Sequence, residues 1–272
     1  MEAFLNFFET MPTWQKLAWV IICLSLSWIL EGSFPLFNKD YRKWKHAGIN
    51  FVFLSMSMIL NVLFGIATIG IFAWAGQQEF GLLYLVDWPI WLELLLAVMF
   101  LDFLAQWVAH YFLHKYKWMW KMHMVHHSDT MVDATTGTRH HPGDYALREC
   151  YALIAIVISG MPISFYLFYR ITTILFTYLT HANISLPKWM DRGLSYVFVT
   201  PDMHKFHHHF ERPWTDTNFG NIFSFWDRIF GTFVYEDPQK IEYGLDVADG
   251  AKHQDIAYQL GLPFNKDIPT DY

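Results

Sequence analysis

From Ala47 to Gln78 the chain carries no Asp, Glu, Lys or Arg. A helix needs about 20 apolar residues to cross the roughly 30 Å hydrocarbon layer of a bilayer, so this run predicts a transmembrane helix. Leu17–Leu30 is a shorter uncharged run between Lys16 and Glu31. Its length also suits a buried helix or a signal anchor. No small-residue cleavage pattern follows it, however, and Trp14, Trp19 and Trp28 suit interfacial positions, so the reading is a second span. Trp88–Ala109, interrupted by Glu93 and Asp102, predicts a third, with Asp87 as its cap and Pro89 in its first turn. The composition agrees: 54% of residues are hydrophobic and 16% charged, where soluble domains carry about 25% charge. That balance excludes a disordered chain and argues against an ordinary soluble enzyme. A net charge of −6 gives no support for nucleic-acid binding. Cys23 and Cys150, both in apolar runs, read as small buried hydrophobes.

Basic loops stay on the cytoplasmic side. Lys39, Arg42, Lys43 and Lys45 join the first two spans, the loop from Gly76 to Asp87 has no Lys or Arg, and Lys115, Lys117 and Lys121 follow the third span. All three loops assign the same orientation. A further apolar stretch, Cys150–Thr180, is broken only by Arg170. As one helix it would be about 46 Å long, too long for a simple crossing. Gly160-Met161-Pro162 near its middle predicts two half-length helices in a hairpin that returns the chain to the cytoplasm. The expected fold is all-α: a multi-pass transmembrane bundle with a cytoplasmic helical cap carrying a histidine-rich dimetal site. Residues 1–109 form the N-terminal membrane helices. Residues 110–272 form the histidine-bearing region, with a membrane hairpin at about 147–180 and a cytoplasmic C-terminal part.

Twelve of the 14 histidines fall between His110 and His209. His110 and His114 stand at i and i+4; His123, His126 and His127 at i, i+3 and i+4; and His204, His207 and His208 repeat that pattern, with His209 trailing. Residues three and four apart share one helix face, close enough to grip one ion. A lone histidine such as His46 or His253 is ordinarily solvated or hydrogen-bonded, and one HxxxH pair is weak. Two HxxHH groups and an HxxxH beside membrane segments predict metal binding, since so many imidazoles without metal would titrate and repel each other. So many histidines with no usable thiolate exceed one structural zinc and suit two ions. Imidazole accommodates several metals. The apolar surround favours iron, because attack by O2 on an unactivated C–H bond needs a redox metal and exclusion of water.

These motifs together resemble the fatty acid hydroxylase/sterol desaturase superfamily of membrane di-iron enzymes over about Asp102 to Thr232. The resemblance rests on Asp102-Phe103 and Trp107 before His110, and on Trp120 before His123-Met-Val-His126-His127-Ser128. It continues through Asp133, Thr135, Thr136, Gly137 and Arg139-His140-His141-Pro142-Gly143, then His181-Ala-Asn183, then Thr200-Pro201-Asp202-Met203-His204. It closes with Asn218-Phe219-Gly220 and Trp226-Asp227-Arg228-Ile229-Phe230-Gly231-Thr232. It implies that His110, His114, His123, His126, His127, His181, His204, His207 and His208 hold two iron ions, with O2 as co-substrate. It implies too that a sterol, fatty acyl or related lipid is hydroxylated or desaturated in lipid biosynthesis.

Other residues are read more openly. His141 is a tenth ligand or a group supporting the ligands; His140 and His209 are supporting or solvated. Asp102 either accepts the outer N–H of a ligand imidazole or is a helix-end acid. Arg139 pairs with a carboxylate near the site, pairs with a lipid headgroup, or is solvated. Asn183 orients His181, bridges to it through water, or caps a helix end. The sequence has no GxGxxG and no CxxC, so electrons are expected from a separate cytochrome b5- or ferredoxin-like protein. The expected location is a bacterial inner membrane or the endoplasmic reticulum, with the active site facing the cytoplasm. The alternatives are a membrane metal transporter or metal-binding protein using the same clusters, and a zinc hydrolase. The first is opposed by the placing of the clusters at helix ends, the second by the lack of an HExxH motif.

Overall fold

The computed structural model describes residues 1–38, 40–85 and 87–268, so Lys39 of the basic loop lies outside the described residues. After a short helix α1 (Glu2–Glu9), α2 (Thr13–Ser33) and α3 (Lys43–Gln77) enclose the first two apolar runs. The third is α4 (Ile90–Leu101), a π-helical stretch Asp102–Val108, and α5 (Ala109–Lys115). Thr13–Ser33, Lys43–Leu85 and Ile90–Lys115 are each long and apolar enough to cross a membrane. Ile21 and Ile29 of α2 and Ile59, Val62 and Ile66 of α3 point outward and are exposed, as lipid-facing side chains would be. Asp87 does not cap α4; Pro89 occupies the N-cap position, with no side-chain hydrogen bond.

Next come α6 (Lys117–His127), the hairpin of α7 (Pro142–Ser159) and α8 (Ile163–His181), α9 (Lys188–Leu194), α10 (Pro201–His207), α11 (Phe225–Ile229) and α12 (Ile256–Gly261). Strands are absent among the described residues. The hairpin turns where expected, at Gly160, which is left-handed with φ +66. A side chain there would meet the Phe80 carbonyl and Gly81, so the tip fits only because both positions are glycine. The two arms are not half-length: at 18 and 19 residues each is about 27–29 Å long, and the tip reaches the connection following α3.

Leu94, Val98 and Leu101 of α4 pack with Ala155 and Ile156 of α7 and Phe165 and Tyr169 of α8 into the main core. Around it α3 lies against α7, and α2 against α8. With 35 residues, α3 is about 52 Å long, longer than a hydrocarbon layer, and its first two turns bury His46 and Asn50 beneath the histidine region. Cys23 is buried as expected, but Cys150 is exposed, because it falls on the outer side of α7.

Candidate metal centre

The helices bring nine histidines into two adjoining cages. His110, His114, His123, His127 and His207 form one; His126, His181, His204 and His208 form the other; all nine are buried. The first draws four residues from the neighbouring helices α5 and α6. The second takes His126 from α6, His181 from the end of α8, His204 from α10 and His208 just past it. The i, i+3, i+4 spacing on α6 divides its three imidazoles between the cages: His123 and His127 face one, His126 the other.

Six of the nine rings are held from behind, while the Nδ1 atoms of His127, His204 and His208 are buried without a hydrogen-bond partner. His110 Nδ1 donates to the Phe219 carbonyl (2.9 Å), His207 Nδ1 to the Thr217 carbonyl (2.7 Å) and His181 Nδ1 to the Thr177 carbonyl (2.7 Å). His126 Nδ1 donates to the Arg139 carbonyl (3.3 Å), His123 Nδ1 to Asp144 (2.8 Å) and His114 Nδ1 to Asp216 (3.2 Å). A carbonyl only accepts, so the proton sits on Nδ1 and the Nε2 lone pair turns inward. Burial holds His126, His127, His204, His207 and His208 well below the ordinary histidine value, and His123 at about 3, so these rings are neutral.

This tautomer assignment leaves nitrogen facing nitrogen. His126 and His181 Nε2 lie 3.2 Å apart, although both rings carry their proton on the other side. His110 and His123 Nε2, assigned in the same way, are 3.0 Å apart, and His204, whose Nδ1 has no partner, sets its Nε2 3.1 Å from that of His181. The buried Nε2 atoms of His114 and His207 have no hydrogen-bond partner. Facing lone pairs repel unless a cation lies between them. Two nitrogens bound at about 2.1 Å to one ion, at roughly 90–110°, are about 3.0–3.4 Å apart. The donor set therefore fits two metal ions.

The other sequence candidates lie elsewhere. Asp102 touches no imidazole. Its carboxylate accepts from the Ile222 and Phe223 N–H groups (3.0 and 3.1 Å) and from Trp226 Nε1 (3.2 Å). The π-helical stretch it begins turns it toward this closing loop, while His110 and His114 turn toward the cage. Asp227 holds the same loop by accepting from Trp107 Nε1 and from the Phe219 and Gly220 N–H groups. The two acids thus set the Phe219 carbonyl behind His110. Arg139 is neither solvated nor at a headgroup. It is fully buried and donates to the Val125 and His253 carbonyls, Ser128 and Asn50, bracing the end of α6. Asn183 exchanges two hydrogen bonds with the Phe37 backbone and does not reach His181. His141 is in neither cage; its Nδ1 accepts from the Gly143 N–H and caps α7. His140 stacks on His126 at 4.6 Å and donates to Asp144 (2.9 Å). His209 accepts from the Glu242 N–H at the surface. His46 is locked between Asp129 (2.8 Å) and Asp133 (3.1 Å) and is not solvated.

The sequence reading missed Asp144 and Asp216. Asp144 had a readable signal: it stands four residues after His140 and four before Arg148, which it also pairs with at 3.0 Å. Asp216 had none. A cavity of about 630 Å3 begins at His110, His126, His181 and His204 and runs to Leu17 and Val20 of α2 and Met58 and Ile69 of α3.

A helical membrane protein with a paired all-histidine centre opening on an apolar-ended cavity is thereby defined. Residues 94–232 match the fatty acid hydroxylase family, and the chain belongs to it. It is similar to the ornithine lipid hydroxylase OlsE of Rhizobium tropici, 25% identical over 180 residues that make up 66% of this chain and 53% of that protein. The alkylglycerol monooxygenase of Homo sapiens is 28% identical over 230 residues (83% of this chain, 47% of that one), and that of Caenorhabditis elegans 29% identical over 190 (64% and 35%). The chain thus spans between a third and about half of the length of these relatives. No solved structure matches it.

Proposed function

We propose that the chain is an O2-dependent lipid hydroxylase of the membrane, with two iron ions held by the five- and four-histidine cages. The observation that carries this reading is the set of inward Nε2 lone pairs 3.0–3.2 Å apart at the inner end of a cavity that continues between apolar helices. Iron at such a site supplies the redox chemistry that couples O2 to an unactivated C–H bond. The protein's part is to hold nine imidazoles, six of them in tautomers fixed from behind, to keep water from the buried cages, and to seat a lipid tail with one carbon beside them.

The relatives named as a lipid hydroxylase and as monooxygenases favour hydroxylation over desaturation and over metal transport. Arg42 and Lys43 at the start of α3 and Lys115 at the end of α5 lie at the cage end of their helices, which favours a centre facing the cytoplasm. Residues 1–109 serve as membrane anchor and cavity wall, and 110–272 as the metal-bearing part. Electrons come from a separate donor protein.

Purified protein should contain about two iron ions per chain. His207→Ala, in the first cage, and His126→Ala, in the second, should each lower that content and abolish oxygen consumption driven by added lipid. Stoichiometric zinc with intact activity would overturn the iron reading.

A further inference from the structure

Part-way along the cavity four polar side chains from three helices form one network. Arg170 of α8 pairs with Glu149 of α7 (2.5 Å) and donates to Asn61 of α3 (3.2 Å) and to the Tyr145 hydroxyl (3.2 Å), and Tyr145 donates to Asn61 (3.1 Å). All four line the cavity. Glu149 is buried and Arg170 half-buried, in helices whose other faces are apolar. Charged groups at such depth are costly, and sequence pattern and core packing explain neither. Leu17 and Val20 of α2 and Leu54, Met58 and Ile69 of α3 line the same cavity. Those two helices meet at their cage end, through Trp28 on Trp44 (5.0 Å) and Lys43 on Glu31 (2.7 Å). Farther along they lean on α8 and α7 respectively.

We propose that Asn61, Tyr145, Glu149 and Arg170 are a recognition station for the polar group of the substrate, and that the substrate is a lipid of zero net charge. This rests on the lipid-oxygenase reading above. The guanidinium charge is already matched by Glu149, and the nearby Arg148 by Asp144, so the station has no surplus positive charge for a carboxylate or phosphate monoester. It does offer donors and acceptors to a hydroxyl, ether, ester or zwitterionic headgroup. The station also fixes where oxidation falls. Glu149 stands five residues beyond Asp144, the partner of His123, or about 7.5 Å along α7. The oxidised carbon therefore lies a few bonds from the polar group, not in the middle of a tail.

The test measures equilibrium binding of tritiated 1-O-hexadecylglycerol, hexadecylphosphocholine and palmitate to the purified full chain in nanodiscs without oxygen. Wild type should bind the two net-neutral probes at least about 10-fold tighter than palmitate. Glu149→Gln, which frees the Arg170 charge, should shift that ratio toward palmitate by about 10–100-fold. Should Glu149→Gln fail to fold, Asn61→Leu and Tyr145→Phe keep the ion pair and should each weaken 1-O-hexadecylglycerol about 3–10-fold without changing bound iron. Equal ratios in all four proteins, or a wild-type product oxygenated at mid-tail by mass spectrometry, would overturn the station. Wild type that binds these probes yet consumes no oxygen with any lipid would overturn the oxygenase reading and leave the station standing.

Discussion

Asp144→Asn is the perturbation that best separates the two cages. The carboxylate is fully buried and accepts from His123 Nδ1 at 2.8 Å, from His140 Nδ1 at 2.9 Å and from Arg148 Nε at 3.0 Å. His123 belongs to the five-histidine cage alone. The Arg148 guanidinium and the hydrogen bond from His123 hold the Asp144 carboxyl well below the usual carboxylate range, so the amide removes a full charge. Loss of a carboxylate behind a ligand imidazole costs about 10–100-fold in metal affinity, or roughly 1.4–2.8 kcal/mol. Arg148, left without its partner at a largely buried position, adds a folding penalty of a few kcal/mol, about 3–5 for a fully buried pair. Titration with a graded chelator series, read by metal analysis, should find one ion released early and the other held as in wild type. Thermal unfolding should shift down in parallel. Release of both ions together, or of neither, would refute the assignment of Asp144 to one cage.

Two further outcomes follow from the site. In chelator-treated protein the cage histidines are neutral in the fold and titrate near 6.5 when unfolded. Their folded values are depressed, so their stabilising contribution is present above about 6.5 and is lost as pH falls below it, by about 1.4 kcal/mol per histidine per pH unit. The Tm of the metal-free protein should drop steeply between about pH 7 and pH 5.5, and a flat Tm across that range would contradict neutral cages. His141→Ala should cost about 1 kcal/mol of stability by removing the cap of α7, with both ions retained on metal analysis; a lost ion would return His141 to the ligand set.

The long apolar helices and the hairpin were legible because charge-free runs and a Gly-Met-Pro break report directly on helix length and interruption. The histidine spacing, with the family resemblance, named the nine imidazoles that the fold brings together, since i, i+3 and i+4 neighbours share a face whatever the tertiary structure. What could not be read was how residues distant in sequence meet. Asp102 lies in a π-helical stretch, so helix-face counting from His110 pointed it at the wrong partner. Asn183 bonds through its side chain to the Phe37 backbone, and Arg139 to two carbonyls and to Ser128 and distant Asn50, partners a sequence does not display. The division of His123, His126 and His127 between two cages likewise depends on where α8 and α10 arrive.

The unequal origins of the two cages bear on how the protein is made. Four imidazoles of the first cage lie on the adjacent helices α5 and α6, a short loop apart, and meet at small entropic cost. The second needs His181, His204 and His208, the last of which leave the ribosome well after His126. A nascent chain can therefore grip one ion early but can complete the pair only once α10 is in place. On the proposed two-metal reading, biogenesis would run through a singly loaded precursor until α10 arrives.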